Sequence, residues 1–555
     1  MTLKLRSTPL LLFLPLAIYL LVSLVYLGLP GLHYDETLFG NAALGNRDGS
    51  FVAWETTIAG CRFPVMLMPY IGALKAYLYY PIFKWWGTGV AAVRIPVILL
   101  GLATLFFTYT FVRRTIDPWT ALVSVALLAS DPTFIFMHKA DWGPVALMSA
   151  LKSASIYLIV RWFNESKTVW LSLACFLMGV GIFDKVIFLW FVVALIMAIP
   201  LCFWPLLRGR LTLKNLGIAL FSFLAGCFPL VAFIVRTHGS SLSNPNVFAL
   251  SRLQDLTLRW NVCIGTLNGT AVFNFFNNEL LQNLAQLLRH ENHENFQQTL
   301  FSVKEMASPQ GTFHCVALIL SFFVIGILLK RGRLSFRSTT LFYFFLLLFT
   351  AGLIFATPGA TGIQHFAMLF PFSHIVIASA LFQIKNLGVV RLQRWFPGTR
   401  QIAAALGLLL FLLQLHVDLR YLQSLRSSGG VGIWSDAIYR LAEFVKSHPN
   451  NYYALMDWGF SNQLLVLTRG EIRKEESFIF LKDAKNEIER FERMCRLLKR
   501  SDTIFVFHSK QYEIFPSLQI FNQALESSRL KARLRQTFYQ RDGQPVYLLF
   551  EVFPD

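Results

Sequence analysis

Charge is scarce in this sequence: only 15% of its 555 residues are Asp, Glu, Lys or Arg, against 55% hydrophobic. With a mean hydropathy of +0.52, the chain is too apolar for a soluble globular protein. Cysteine is also sparse. Cys61, Cys175, Cys202, Cys227, Cys263, Cys315 and Cys495 form no C-x-x-C pair, and several fall within apolar runs. A Cys61–Cys263 disulfide stays open, and cysteine usage decides little. There is no Walker loop, no G-x-S-x-G elbow and no H-E-x-x-H. ATP-driven transport, serine hydrolysis and zinc proteolysis therefore have no sequence basis. The internal repeat that marks many transporters is missing as well.

What the chain does have is apolar length. Its 53 phenylalanines sit with Leu, Ile and Val in runs near the roughly twenty residues a bilayer needs. These runs predict eleven spans, at about 8–28, 90–112, 118–137, 142–161, 168–183, 186–205, 214–235, 314–330, 338–356, 366–384 and 401–417. The net charge of +19 is not gathered on one soluble face, which argues against nucleic-acid binding. Instead Arg113-Arg114, Arg161 with Lys167, Arg208/Arg210/Lys214, the Lys330–Arg337 cluster and Lys385/Arg391/Arg394/Arg400 mark every second connection. That alternation puts them with Lys4 and Arg6 on the cytoplasmic side and the C-terminus outside. The first span reads as a retained signal-anchor.

A first outside loop (29–89) and a large one (236–313) follow from this topology. Segment 63–86 is expected to lie in the interface as a helix. Lys75 would cost about 2.5–3.5 kcal/mol in mid-span, and Pro69, Pro81 and the Tyr/Trp-rich end suit an interfacial position. The chain thus divides into a transmembrane domain, 1–417, and an extracytoplasmic domain, 418–555, where charge rises and apolar runs shorten. In that tail WSDAIYRLAEFVKSH predicts a helix capped by Ser435. YYALMD, SFIFL, TIFVFH and PVYLLFEVF predict strands, with LKDAKNEIERFERMCRLLKR a helix between them. The fold class is an α-helical polytopic membrane protein with a small C-terminal α/β domain.

Asp35 and Glu36 lie side by side just after the first span. Carboxylates at a membrane surface are costly to desolvate and are candidates for chemistry. The alternative is a pair of acids in the first turn of a short helix. HENHENF (290–296) offers His290 and His293 three apart, which an exposed polar helix explains equally well, so no metal site is assigned. Asn268-Gly269-Thr270 and Asn164-Glu165-Ser166 fit a glycosylation sequon.

The order of pieces carries more. After the acidic pair come AAVRIPVILLGLATLFFTYTFVRR with Arg94, HKADWGP with Lys139 and Asp141, GIFDKVIF with Lys185, and GATGIQHFAMLFPF with His365. Across residues 8–384 this resembles the GT-C superfamily of polytopic membrane glycosyltransferases, in its bacterial protein-mannosyltransferase-like and aminoarabinose-transferase-like branch. The resemblance implies transfer of a sugar from a polyprenyl-phosphate donor to a glycan, lipid or protein acceptor at the outer face. It maps the base onto Asp35 or Glu36, with Asp35 first in the family's pair. It also implies that Arg94, Lys139, Lys185 and His365 face the lipid phosphate beside Asp141. Relatives often carry Arg two or three residues before that Asp; here Lys139 stands two before it, which leaves the phosphate contact open. No cofactor is assigned, and a divalent cation stays open. The expected location is the bacterial inner membrane, with the N-terminus cytoplasmic. A transporter or flippase of lipid-linked intermediates is the competing reading. The gathering of ionisable residues at the outer interface, rather than in mid-span, favours the enzyme.

Overall fold

The computed structural model describes residues 8–45, 52–239, 256–277, 312–357, 359–387, 399–500, 502–515 and 517–554. Among these, eight helices are long and apolar enough to cross a membrane: Val90–Thr115, Ala146–Glu165, Val186–Arg208, Leu213–Arg236, Phe313–Lys330, Thr339–Ala356, Ile363–Gln383 and Arg400–Ser428. A bent pair, Pro118–Ala129 and Pro132–Lys139, makes a ninth if it is one span. Two shorter apolar helices, Leu11–Leu24 and Thr168–Asp184, occupy the remaining predicted runs. Each of the eleven predicted spans is therefore helical among the described residues, and the chain is an integral membrane protein.

The 61° bend in that pair has a local cause. Asp131 precedes a proline and is held in extended backbone (φ −79°, ψ 120°), as the proline ring requires. Its Oδ1 accepts the Phe134 amide at 2.9 Å, so the second half restarts as a capped helix with Pro132 at its first position.

The first connection corrects one expectation. Residues 61–68 are not part of an interfacial helix. Trp54–Ile58 (β1) and Cys61–Met68 (β2) form an antiparallel hairpin, and Ile71–Gly72 (β3) pairs with β2. The turn is made by Ala59 and Gly60, both at positive φ (52° and 77°), the geometry that matches strand twist in a two-residue hairpin. Helix begins only at Leu74, and runs to Trp86.

Beyond the last long helix, which continues to Ser428, the chain builds a five-stranded sheet. Its order is β5 (Lys474–Glu475), β4 (Tyr452–Leu455), β6 (Thr503–His508), β8 (Pro545–Pro554) and β7 (Leu530–Tyr539). The first three are parallel and the last two run antiparallel to their neighbours. SFIFL is a second correction: Ser477–Lys482 is helical. Phe478 and Leu481 are both buried, and a spacing of three puts them on one helical face, whereas a strand would point them apart. The capping expectation holds in part. Helix Ala437–Ser447 has Asp436 at its N-cap position, but Ser435 Oγ accepts the Ala437 amide at 3.2 Å.

Candidate active site

Helix α2 (Tyr34–Ala43) carries the acidic pair. Its start is fixed reciprocally: His33 Nδ1 accepts the Asp35 amide at 3.2 Å, and Glu36 Oε1 accepts the His33 amide at 2.6 Å, a capping-box arrangement. His33 stacks on Trp434 at 3.8 Å between ring centroids. Burial, helped by the Arg94 charge, pushes the His33 pKa down to about 3, so the ring is neutral and free to accept.

The two acids then part. Glu36 is 2% exposed and takes Arg94 in a bidentate grip, Nε to Oε2 at 3.0 Å and Nη2 to Oε1 at 2.8 Å. The remaining Arg94 donors go to the carbonyls of Leu27, Pro30 and Gly31, at 2.7, 2.9 and 3.2 Å. Lys139 is also occupied, donating to the Val25 and Tyr26 carbonyls at 2.8 and 2.9 Å. Both cations thus tie down the end of the first apolar helix.

Asp35 is only partly buried and faces a set of charges drawn from distant segments. Lys185, Asp141 and Lys75 all act electrostatically on it. Burial raises its pKa, Lys185 and Lys75 oppose that, and Asp141 adds to it. Lys75 forms a buried ion pair with Asp141 Oδ2. Asp141 Oδ1 accepts the Val145 and Ala146 amides, both at 3.0 Å, which caps the following helix.

Lys185 lies between two apolar helices, and its Nζ donates to the Gly143 carbonyl at 2.7 Å. Burial pushes its pKa down to about 8, while Asp35 and Asp184 hold it up. Its backbone is pinned to the first connection by a bridge to Ile71 and by the Val186 amide bonding the Tyr70 carbonyl at 3.2 Å. The approach is close enough that a Cβ on Gly72 would sit 2.4 Å from the Phe183 carbonyl oxygen, so only glycine fits there. His365 is half-buried; its Nδ1 accepts the Gly362 amide at 3.1 Å, and its ring meets Trp190 edge-on at 5.7 Å. The charges of Lys185 and Arg259 act on it. The site is walled by aromatics: Tyr34 packs on Trp458 at 4.8 Å, and Trp142 meets Trp434 edge-on at 5.7 Å.

With this geometry in place, likeness to known proteins becomes informative. Residues 69–233 match the family model described as dolichyl-phosphate-mannose-protein mannosyltransferase. The structure is similar to that of ArnT from Cupriavidus metallidurans bound to undecaprenyl phosphate, with a TM-score of 0.55 and 13% identity over 97% of each chain. The chain thus shares the fold of ArnT, and its N-terminal membrane region matches the mannosyltransferase family model. An Archaeoglobus fulgidus oligosaccharyltransferase also resembles it, at a TM-score of 0.49 and 13% identity, over 91% of this chain and 70% of that one. No curated protein sequence matches it.

Within the GT-C fold, the sequence motifs meet at two places. Asp35, Asp141 and Lys185 are electrostatic neighbours, with His365 next to Lys185. Arg94 and Lys139 sit beneath α2, bonded to Glu36 and to backbone. Four participants escaped the sequence reading. Lys75 stood out only as an obstacle to a span, Arg259 had no motif around it, and Trp434 and Trp458 belong to the C-terminal domain. HENHENF lies outside the described residues.

Proposed function

We propose that this chain moves a glycosyl group from a polyprenyl-phosphate donor to an acceptor hydroxyl or amine, with Asp35 as the general base. The carrying observation is the division of labour in the acidic pair. Glu36 is consumed by Arg94, while its neighbour presents a partly exposed carboxylate toward Lys185. The likeness to a protein that binds undecaprenyl phosphate agrees with a lipid-linked donor.

In the reaction, the acceptor heteroatom attacks the anomeric carbon and its proton passes to the Asp35 carboxylate. The bond between that carbon and the phosphate oxygen breaks, and the polyprenyl phosphate leaves with the electron pair. A positioned base contributes roughly 10²–10⁴-fold. Phosphate is already a good leaving group, so it needs cations more than an acid. Lys185 is the first of these, with His365 and Arg259 beside it; buried cations stabilise developing charge more than exposed ones do. We assign Arg94 and Lys139 to positioning α2 and the end of the first span, and Asp141 to holding Lys75.

The active face is taken as extracytoplasmic, with the N-terminus in the cytoplasm, in a bacterial inner membrane. Asp35→Asn tests the reading: turnover of a lipid-linked sugar should fall by about 10²-fold or more while binding of polyprenyl phosphate persists. Near-normal turnover in the Asn variant would remove Asp35 as the base.

A further inference from the structure

Away from Asp35, three membrane helices bring Asp131, His314 and His374 together. One ligand atom from each lies within 4.8 Å of the other two. Asp131 stands at the bend between Pro118–Ala129 and Pro132–Lys139, His314 begins Phe313–Lys330, and His374 lies in Phe372–Gln383. We propose that this group binds a divalent transition-metal ion of the zinc class, which clamps the bend to the two other helices.

Asp131 and His374 each have one polar atom held by a neighbour and another turned toward the other, and His314 has one ring nitrogen held and one without a partner among the described residues. Asp131 Oδ1 caps helix Pro132–Lys139 through the Phe134 amide, and Oδ2 lies 3.0 Å from His374 Nε2. His374 Nδ1 lies 3.2 Å from Ser373 Oγ. His314 Nδ1 is reached at 3.3 Å by the carboxamide of Gln414, which Ser130 Oγ holds at 3.0 Å. A carboxamide can present its oxygen to an imidazole N–H as readily as its nitrogen to a bare ring nitrogen. Partners on the far ring atom are what orient a metal-binding histidine.

The near atoms are what a hydrogen-bonded pair alone leaves unexplained. His314 Nε2 has no partner among the described residues, although the residue is 4% exposed. Asp418, fully buried and close enough for its charge to act on Asp131, has neither oxygen bonded. Among the described residues no lysine or arginine pairs with either carboxylate. Two buried carboxylates and two imidazoles balance one dication, and a buried unpaired charge is otherwise costly. Two imidazoles with a carboxylate suit zinc, and ligand atoms 2.0–2.2 Å from a tetrahedral ion stand roughly 3.3 Å apart, near the Asp131–His374 spacing. Cys315 follows His314 and Cys263 is its electrostatic neighbour, so thiolate ligation is the rival coordination.

The test is metal analysis of the full-length protein, purified in detergent without chelator and with its affinity tag removed. The expected result is about one zinc per chain, with X-ray absorption showing nitrogen and oxygen neighbours and no sulfur. The double variant His314→Ala/His374→Ala should fall to under about a tenth of an equivalent, and His290→Ala/His293→Ala should keep its metal. Wild-type protein that carries no zinc and takes up none on titration overturns the proposal, as does sulfur ligation or loss of metal in the His290/His293 variant. Should the His314/His374 variant fail to fold, metal content and absorption of the wild type decide, with Asp131→Asn as the second variant.

Discussion

The ammonium of Lys75 is paired with the carboxylate of Asp141, and both side chains are buried, at 1% and 2% exposure. The pair joins the first connection to the turn after the bent helices, and Asp35 feels both charges. Breaking a buried pair strands one charge and typically costs about 3–5 kcal/mol. Lys75→Met is therefore expected to lower stability by about that amount, read as earlier thermal unfolding in detergent. An unchanged midpoint would mean that Asp141 finds another partner or a proton at no cost.

The neighbouring acids should fail in different ways. Glu36→Gln leaves Arg94 without its counter-charge, so stability should fall, again by about 3–5 kcal/mol, and activity with it. Asp35→Asn should leave the unfolding midpoint within about 0.5 kcal/mol and remove turnover. Paired melting curves and single-turnover assays separate the two. Equal destabilisation by both variants would contradict the assignment of Asp35 to chemistry.

pH offers an independent reading. Asp35 must be ionised to act as base, and burial raises its pKa while Lys185 opposes the rise. Activity should therefore climb with pH through that raised value. Lys185, pushed down to about 8, loses its charge above that value, so activity should fall again on the alkaline side. The two apparent values belong to the coupled group rather than to single residues. Lys185→Arg keeps the cation charged and should abolish the alkaline decline. Lys185→Met removes the opposing cation and should move the acid limb to higher pH. A profile unchanged in both variants would take Lys185 out of the site.

Orientation can be checked directly. A reporter active only outside the cytoplasm should work when fused after residue 430 and fail when fused near residues 210 and 335. The reverse pattern would turn the site to the cytoplasmic face.

Much of this architecture was legible in the sequence because a bilayer imposes a simple code of length and apolarity. Each of the eleven runs is helical, and even the bend at Asp131-Pro132 is written in local residues. The hairpin at 54–68 was harder to read because an apolar stretch beside a membrane suits strand and helix alike, and the deciding residues, Ala59 and Gly60, precede it. SFIFL misled for a similar reason: five residues are too few for periodicity to arbitrate. Among the candidate site residues, Asp35 and Lys185 could be named from their motifs. The spending of Arg94 on Glu36 could not, since 58 residues separate them and only folding brings the guanidinium under α2.

That helix is gripped from two sides. Arg94 holds it from the membrane domain. From the C-terminal domain, the Trp434 carbonyl accepts the Gly31 amide at 2.7 Å, Tyr439 donates to the Gly28 carbonyl at 2.9 Å, and Asn462 receives the Asn41 amide group at 3.0 and 3.1 Å. The proposed base thus leaves the ribosome well before the groups that seat it, since 421 residues separate Asn41 from Asn462. A chain caught partway through synthesis, or cut after its final span, would carry every membrane motif and still hold Asp35 on an unsecured helix. Folding of the C-terminal domain onto the membrane domain would then itself be the step that switches the site on.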